Sequence, residues 1–147
     1  MTDENNRHRG QDFTWLINDF VHRVHGVTHA LIMSSDGLSL AASDTLGIEA
    51  GEQLAAISSG MLSLAGNSAI LFDKGSCEQI IVRLTHGYFL FMGIDAGAGL
   101  AVLTGPDCDM KVVAYEMTQF VQHAGHALTP EVRSDLRRVL VGHRPSG

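Results

Sequence analysis

Cys77-Glu-Gln-Ile-Ile-Val-Arg-Leu-Thr-His-Gly-Tyr-Phe-Leu-Phe-Met-Gly-Ile-Asp-Ala-Gly-Ala-Gly-Leu-Ala-Val-Leu-Thr104 decides the fold. It divides into three short apolar runs, Cys77 to Leu84, Tyr88 to Ile94 and Gly99 to Thr104, broken by His86-Gly87 and by the Gly-rich Asp95 to Ala98. Runs of this length bounded by turn residues read as strands. Connections this short join antiparallel neighbours. Phe89 and Phe91 alternate with Tyr88, Leu90, Met92 and Ile94, and Leu100 to Leu103 is apolar throughout. Strands apolar on both faces must be covered on both faces. The expectation is an α/β (α+β) protein with helices on either side of the sheet.

Upstream, the period changes. Leu54, Ile57, Met61, Leu64, Ala65, Ser68, Leu71 and Phe72 recur at helical spacing, predicting a long helix from Glu49 to about Phe72 with these residues on its core face. Its other flank carries Ala56, Ser59, Gly60, Ser63 and Asn67, and a mid-helix Gly60 costs up to ~1 kcal/mol relative to Ala. Small side chains permit close approach, so this flank is expected to pack on a second helix. Farther upstream, Val27 to Ser34 and Leu38 to Ser43 flank Asp36-Gly37, a hairpin signal. A first helix is read over Asp12 to Val24 from Phe13, Leu16, Ile17, Phe20 and Val24, and Gly26 stops it. Downstream, Asp109 caps a third helix reaching about His126, and Thr129-Pro130 opens a short last one. The order is α-ββ-α-βββ-α, one five-stranded antiparallel sheet between helical layers.

The 147 residues are 45% hydrophobic, enough for one domain with a real core. The domain is drawn as 11–128, with a C-terminal helix over 129–141 and disordered tails over 1–10 and 142–147. A net charge of -6 gives no basic field for nucleic acid or an anionic membrane. The polar N-terminus has no apolar run behind it, and the longest dense apolar stretch, Tyr88 to Ile94, is too short to cross a bilayer. Cys77 and Cys108 have no disulfide or zinc spacing. A cytoplasmic protein without membrane insertion is expected.

Residues that could carry chemistry read more simply as structure. His22 with His25, and His123 with His126, stand three apart near helix ends without an acidic or thiol ligand nearby, so no metal is expected. Asp95 to Gly99 precedes a strand, not a helix, and lacks the spacing of a phosphate loop. Nucleophile motifs are missing, and Ser58-Ser59-Gly60 lies within a helix. Cys108 has no placed base. Asp73 with Glu78, and Asp107 with Asp109, fit turns and caps. The expectation is a protein that is not an enzyme and needs no cofactor.

What remains is surface. The strand Cys77 to Leu84, with Glu78, Ile80, Val82 and Leu84, suits an exposed sheet edge that pairs with another chain. With the flank Ala56, Ser59, Gly60, Ser63 and Asn67 it predicts a two-fold dimer interface. Glu52, Gln53, Ala56 and Ser59 are the candidate partner-binding residues.

His29-Ala-Leu-Ile-Met-Ser-Ser-Asp-Gly-Leu-Ser-Leu-Ala-Ala-Ser43, Glu52-Gln-Leu-Ala-Ala-Ile-Ser-Ser-Gly60, Leu100-Ala-Val-Leu103 and Pro106-Asp-Cys-Asp109 resemble the bacterial roadblock-domain proteins. Tyr115-Glu-Met117 and Leu128-Thr-Pro130 extend the likeness, especially to the actinobacterial branch associated with small Ras-like GTPases. The resemblance implies a five-stranded sheet with one long helix on one face and two behind, and a homodimer joined through the third strands and long helices. It implies a non-catalytic regulator or scaffold of a small Ras-like GTPase, in a system that also includes a sensor-kinase-like protein. The segment Gly93 to Gly99 departs from the more polar connection of that branch, and no arginine maps as an arginine finger; Arg83 reads as a solvated edge residue. The competing expectation is a small-ligand sensor of PAS or GAF type.

Overall fold

The computed structural model describes residues 2–95, 97–129, 131–132 and 134–137. The tail expected over 142–147 and the end of the helix expected to reach 141 lie outside the described residues. The elements are α1 (Thr2–Arg23), β1 (Val27–Ser34), β2 (Ser39–Ala42), α2 (Ile48–Leu71), β3 (Gln79–Leu84), β4 (Gly87–Asp95), β5 (Ala98–Thr104) and α3 (Met110–Ala127). All five strands form one antiparallel sheet in the order β2-β1-β5-β4-β3. The expected order of elements is present in full.

The pleat sorts side chains into two cores, because successive residues of a strand point to opposite faces. Ala30 and Ile32 of β1, Leu90 of β4, and Leu100 and Val102 of β5 join Phe13, Ile17, Phe20 and Val24 of α1 and Val113, Met117, Phe120 and Ala124 of α3. On the other face Leu31, Met33, Phe89, Phe91 and Ala101 meet Leu54 and Ala55 of α2. The rings of Phe20 and Phe120 cross edge to face with centroids 5.5 Å apart. Arg23 ties α1 to Glu116 of α3 at 2.7 Å, and that hydrogen bond raises the guanidinium pKa further.

Local chemistry fixes the turns and caps. Asp109 accepts from the backbone N–H groups of Lys111 and Val112, as an N-cap should. Gly37 takes φ 91° in the β1–β2 turn, where the Ser34 N–H donates to the Leu38 carbonyl at 2.9 Å. Gly87 is demanded by close approach: a Cβ there would stand 2.0 Å from the Thr104 carbonyl oxygen.

Helix α1 corrects the expected start. It begins at Thr2, ahead of Asp12, so residues 2–10, expected as a disordered tail, are helical. The amphipathic turns from Phe13 to Val24 supply the nucleus, and adding a turn to an existing helix costs far less than starting one. No proline interrupts residues 2–11, and Gly10 alone does not break the helix. At the other end, residues 131–132 and 134–137 are helical, and the Thr129 hydroxyl caps them by accepting from the Val132 N–H at 3.3 Å. Val132 and Leu136 are buried in the core beneath α1 and α3.

Candidate interaction surface

Helix α2 is apolar on nearly every side, and the sheet covers only one of them. Gly51, Leu54, Ala55, Ser58 and Ala69 are its buried residues. These are mostly small, so the helix lies close: a Cβ on Gly51 would sit 3.9 Å from the Ala42 Cβ. The core face expected from the larger residues is therefore corrected. Ile57, Leu64, Leu71 and Phe72 are 57%, 72%, 76% and 67% exposed. Sequence periodicity could not choose the buried face because apolar residues recur at helical spacing around more than one side. On packing grounds the small set wins, since it permits backbone approach.

By length and composition α2 could cross a bilayer, yet only 22% of its most apolar stretch is buried within the chain. A search for unbroken apolar runs missed this because Ser, Gly and Asn punctuate the helix. Its packing against β1, β2 and β5 assigns it to the folded domain. Exposed apolar surface on this scale marks an interaction site.

The small-residue flank divides in two. The Ser59 hydroxyl donates to the Ser35 carbonyl at 2.9 Å, and a Cβ on Gly37 would lie 3.4 Å from the Ser59 Cβ and 3.8 Å from the Ala56 Cα. The close approach expected from a second helix is thus made, within this chain, by the β1–β2 turn. Gly60, Ser63 and Asn67 are exposed, as are Glu52, Gln53 and Ala56. A Cβ on Gly60 would meet nothing within 4 Å.

Strand β3 stands at the sheet edge and, among the described residues, pairs only with β4. Ile80 and Val82 are half-buried and border the same core as Met61 of α2. Leu84 is 48% exposed, and Glu78 is exposed just before the strand. Ile81 points to the opposite sheet face, paired with Leu90, and is 53% exposed. The edge strand and the Met61 flank of α2 therefore border one core, whereas the Ser59 flank leans on the β1–β2 turn. Ile57, Leu64 and Leu71, which follow Met61 around that side of the helix, are the interface candidates that sequence reading placed inside.

The other candidates keep local roles. The Cys108 thiol donates to the Thr104 hydroxyl at 3.2 Å and is half-buried where the chain passes Gly26. Asp73 takes a positive φ of 54° just after α2. Arg83 is exposed on β3. Among the described residues no three His, Cys, Asp or Glu side chains converge as metal ligands. Sequence reading missed the hydrogen-bonded chain from His29 through Thr45 to buried Ser43, each link 2.8 Å, which anchors the approach to α2. No periodic signal marks such a contact.

The fold and this surface define a small antiparallel α/β domain whose long helix is displayed on one face of a sheet. Residues 13–104 match the Roadblock/LC7 domain, and the chain belongs to that family. The Roadblock/LC7 domain from Streptomyces avermitilis is 33% identical, over 75% of this chain and 92% of that one, with a TM-score of 0.71. Myxococcus xanthus MglB shares the fold at 10% identity, over 89% of this chain and 96% of that one, with a TM-score of 0.66. The gliding protein MglB from Thermus thermophilus does so at 11% identity, over 82% and 89% of the two chains, with a TM-score of 0.70. No curated protein matches the chain. Family membership sets aside a PAS or GAF domain.

Proposed function

We propose that this chain is a cytoplasmic, non-catalytic homodimer that binds a small Ras-like GTPase as regulator or scaffold, within a complex that includes a sensor-kinase-like protein. The observation that carries the reading is the long helix of a roadblock domain left largely uncovered, with Ile57, Leu64, Leu71 and Phe72 exposed. Two copies bury this flank when their β3 edges pair through Glu78, Ile80, Val82 and Leu84, since a two-fold interface uses one patch twice. Ala56, Ser59, Gly60, Ser63 and Asn67 then divide between the dimer seam and its outer face, and Glu52, Gln53, Ala56 and Ser59 receive the GTPase.

Helix α2 carries no Lys or Arg, and none occurs between Arg23 and Lys74. A GTPase docked there gains shape and hydrogen bonds from α2 and no arginine finger, which favours tethering or a shift of its switch segments over direct completion of its active site. Gel filtration with a small Ras-like GTPase from the same organism, loaded with GDP or a GTP analogue, tests the reading. Co-elution in at least one nucleotide state is expected. Failure in both refutes it.

A further inference from the structure

The β1–β2 turn is gripped from two sides. On one, the Ser35 carbonyl accepts from Ser59 of α2 at 2.9 Å, and Gly37 lies against Ser59 and Ala56. On the other, Arg137 of the C-terminal segment pairs with Asp36, which also accepts from the Ser34 hydroxyl. That segment is seated by Val132 and Leu136, 7% and 4% exposed, in the core beneath α1 and α3. The Ser35 N–H also donates to the Gly97 carbonyl at 3.1 Å. The turn thus spans the end of the sheet and joins the two helical layers.

We propose that the described residues 131–132 and 134–137 form a strap that holds the β1–β2 turn against α2, so that docking and release of the strap adjust the Ala56–Ser59 flank. The turn can relay movement because it is internally braced: the Ser34 N–H donates to the Leu38 carbonyl and the Gly37 N–H to the Ser34 carbonyl at 3.0 Å. Its fastening is built to open. Arg137 and Asp36 are 41% and 54% exposed, where an ion pair is weak and screened by salt. Two buried aliphatic side chains are a modest anchor compared with α1 or α3. A partner or modification acting on the C-terminal segment therefore reaches the helix on the opposite sheet face without touching it. Only the consequence for a GTPase rests on the function proposed above; the coupling belongs to this chain alone.

Hydrogen exchange on the full chain at low salt, with no partner present, tests the strap in wild type, Arg137→Glu, Asp36→Arg and the double charge swap. Each single variant should speed exchange about two- to fivefold in residues 131–137, in the turn over 33–38 and in α2 over 55–60, the range an exposed ion pair supports. The swap should restore protection in residues 131–137 and in α2, and only part of it in the turn, because an arginine at position 36 cannot accept from the Ser34 hydroxyl. Acceleration confined to 131–137, or a swap that restores nothing, overturns the proposal. A failed co-elution with the GTPase leaves this result standing, and an unchanged turn leaves the GTPase reading standing.

Discussion

Replacing Leu64 by Ser removes apolar surface that the isolated chain barely uses. Leu64 is 72% exposed, so its folded monomer loses little packing, and a change within about 0.5 kcal/mol is expected, as for surface substitutions generally. In the dimer the same side chain becomes covered. Full burial of a leucine is worth roughly 1.5–3 kcal/mol, so covering the exposed 72% contributes about 1–2 kcal/mol per protomer. Two-fold symmetry applies the loss twice, about 2–4 kcal/mol per dimer. At 1.4 kcal/mol per factor of ten, the dimer Kd should rise roughly 30- to 1000-fold. Sedimentation equilibrium over a concentration series reads this directly, with urea melts to confirm that the monomer is intact. Trp15→Ser is the control: Trp15 is 65% exposed on α1, across the sheet from α2, and its loss should leave the dimer unchanged. A monomeric wild type, a Leu64→Ser dimer as tight as wild type, or equal weakening by Trp15→Ser would refute the reasoning.

Gly60→Ala should raise unfolding free energy by up to ~1 kcal/mol through helix propensity, because its Cβ enters open space; Gly60→Gln should leave the monomer folded but weaken the dimer, read by sedimentation equilibrium. Gly87→Ala should destabilise by about 2–3 kcal/mol, since the new methyl overlaps the Thr104 carbonyl, a backbone atom that cannot swing aside; a fallen urea midpoint with unchanged slope is the sign. Asp109→Ala should cost ~1 kcal/mol by uncapping α3, with Asp109→Asn recovering most of it.

The sheet was legible because its strands are short apolar runs, closely bounded by turn residues and too short for helices. Phe89 and Phe91 against Leu90 and Met92 announced two covered faces, and the two cores divide at those residues. Asp109 announced the start of α3 because the capping chemistry is local. The orientation of α2 was not legible. Leu54 and Leu64 are equally apolar, and nothing within the helix says that one meets Leu31 and Met33 while the other faces outward. That choice is made by the close approach of α2 to the sheet, which buries Gly51, Ala55 and Ser58. The turn's grip on Ser59 was invisible for a related reason: Ser35 accepts through its carbonyl, a group every residue carries. The early start of α1 was missed because polar residues that bury nothing still extend a helix already nucleated downstream. Of the candidate site, the edge strand was placed correctly and the helix was found, but the apolar flank of α2 was assigned to the interior.

The sheet order also bears on synthesis. Strand β1 lies between β2 and β5, yet β5 is translated only after α2, β3 and β4. When α2 leaves the ribosome, only the β1–β2 hairpin has been made to receive it, and Phe89, Phe91 and Ala101, which complete that core, do not yet exist. A 24-residue helix apolar enough for a bilayer must wait in water until Thr104 emerges. The nascent chain is therefore at its most aggregation-prone once α2 has cleared the exit tunnel and β4 and β5 have not.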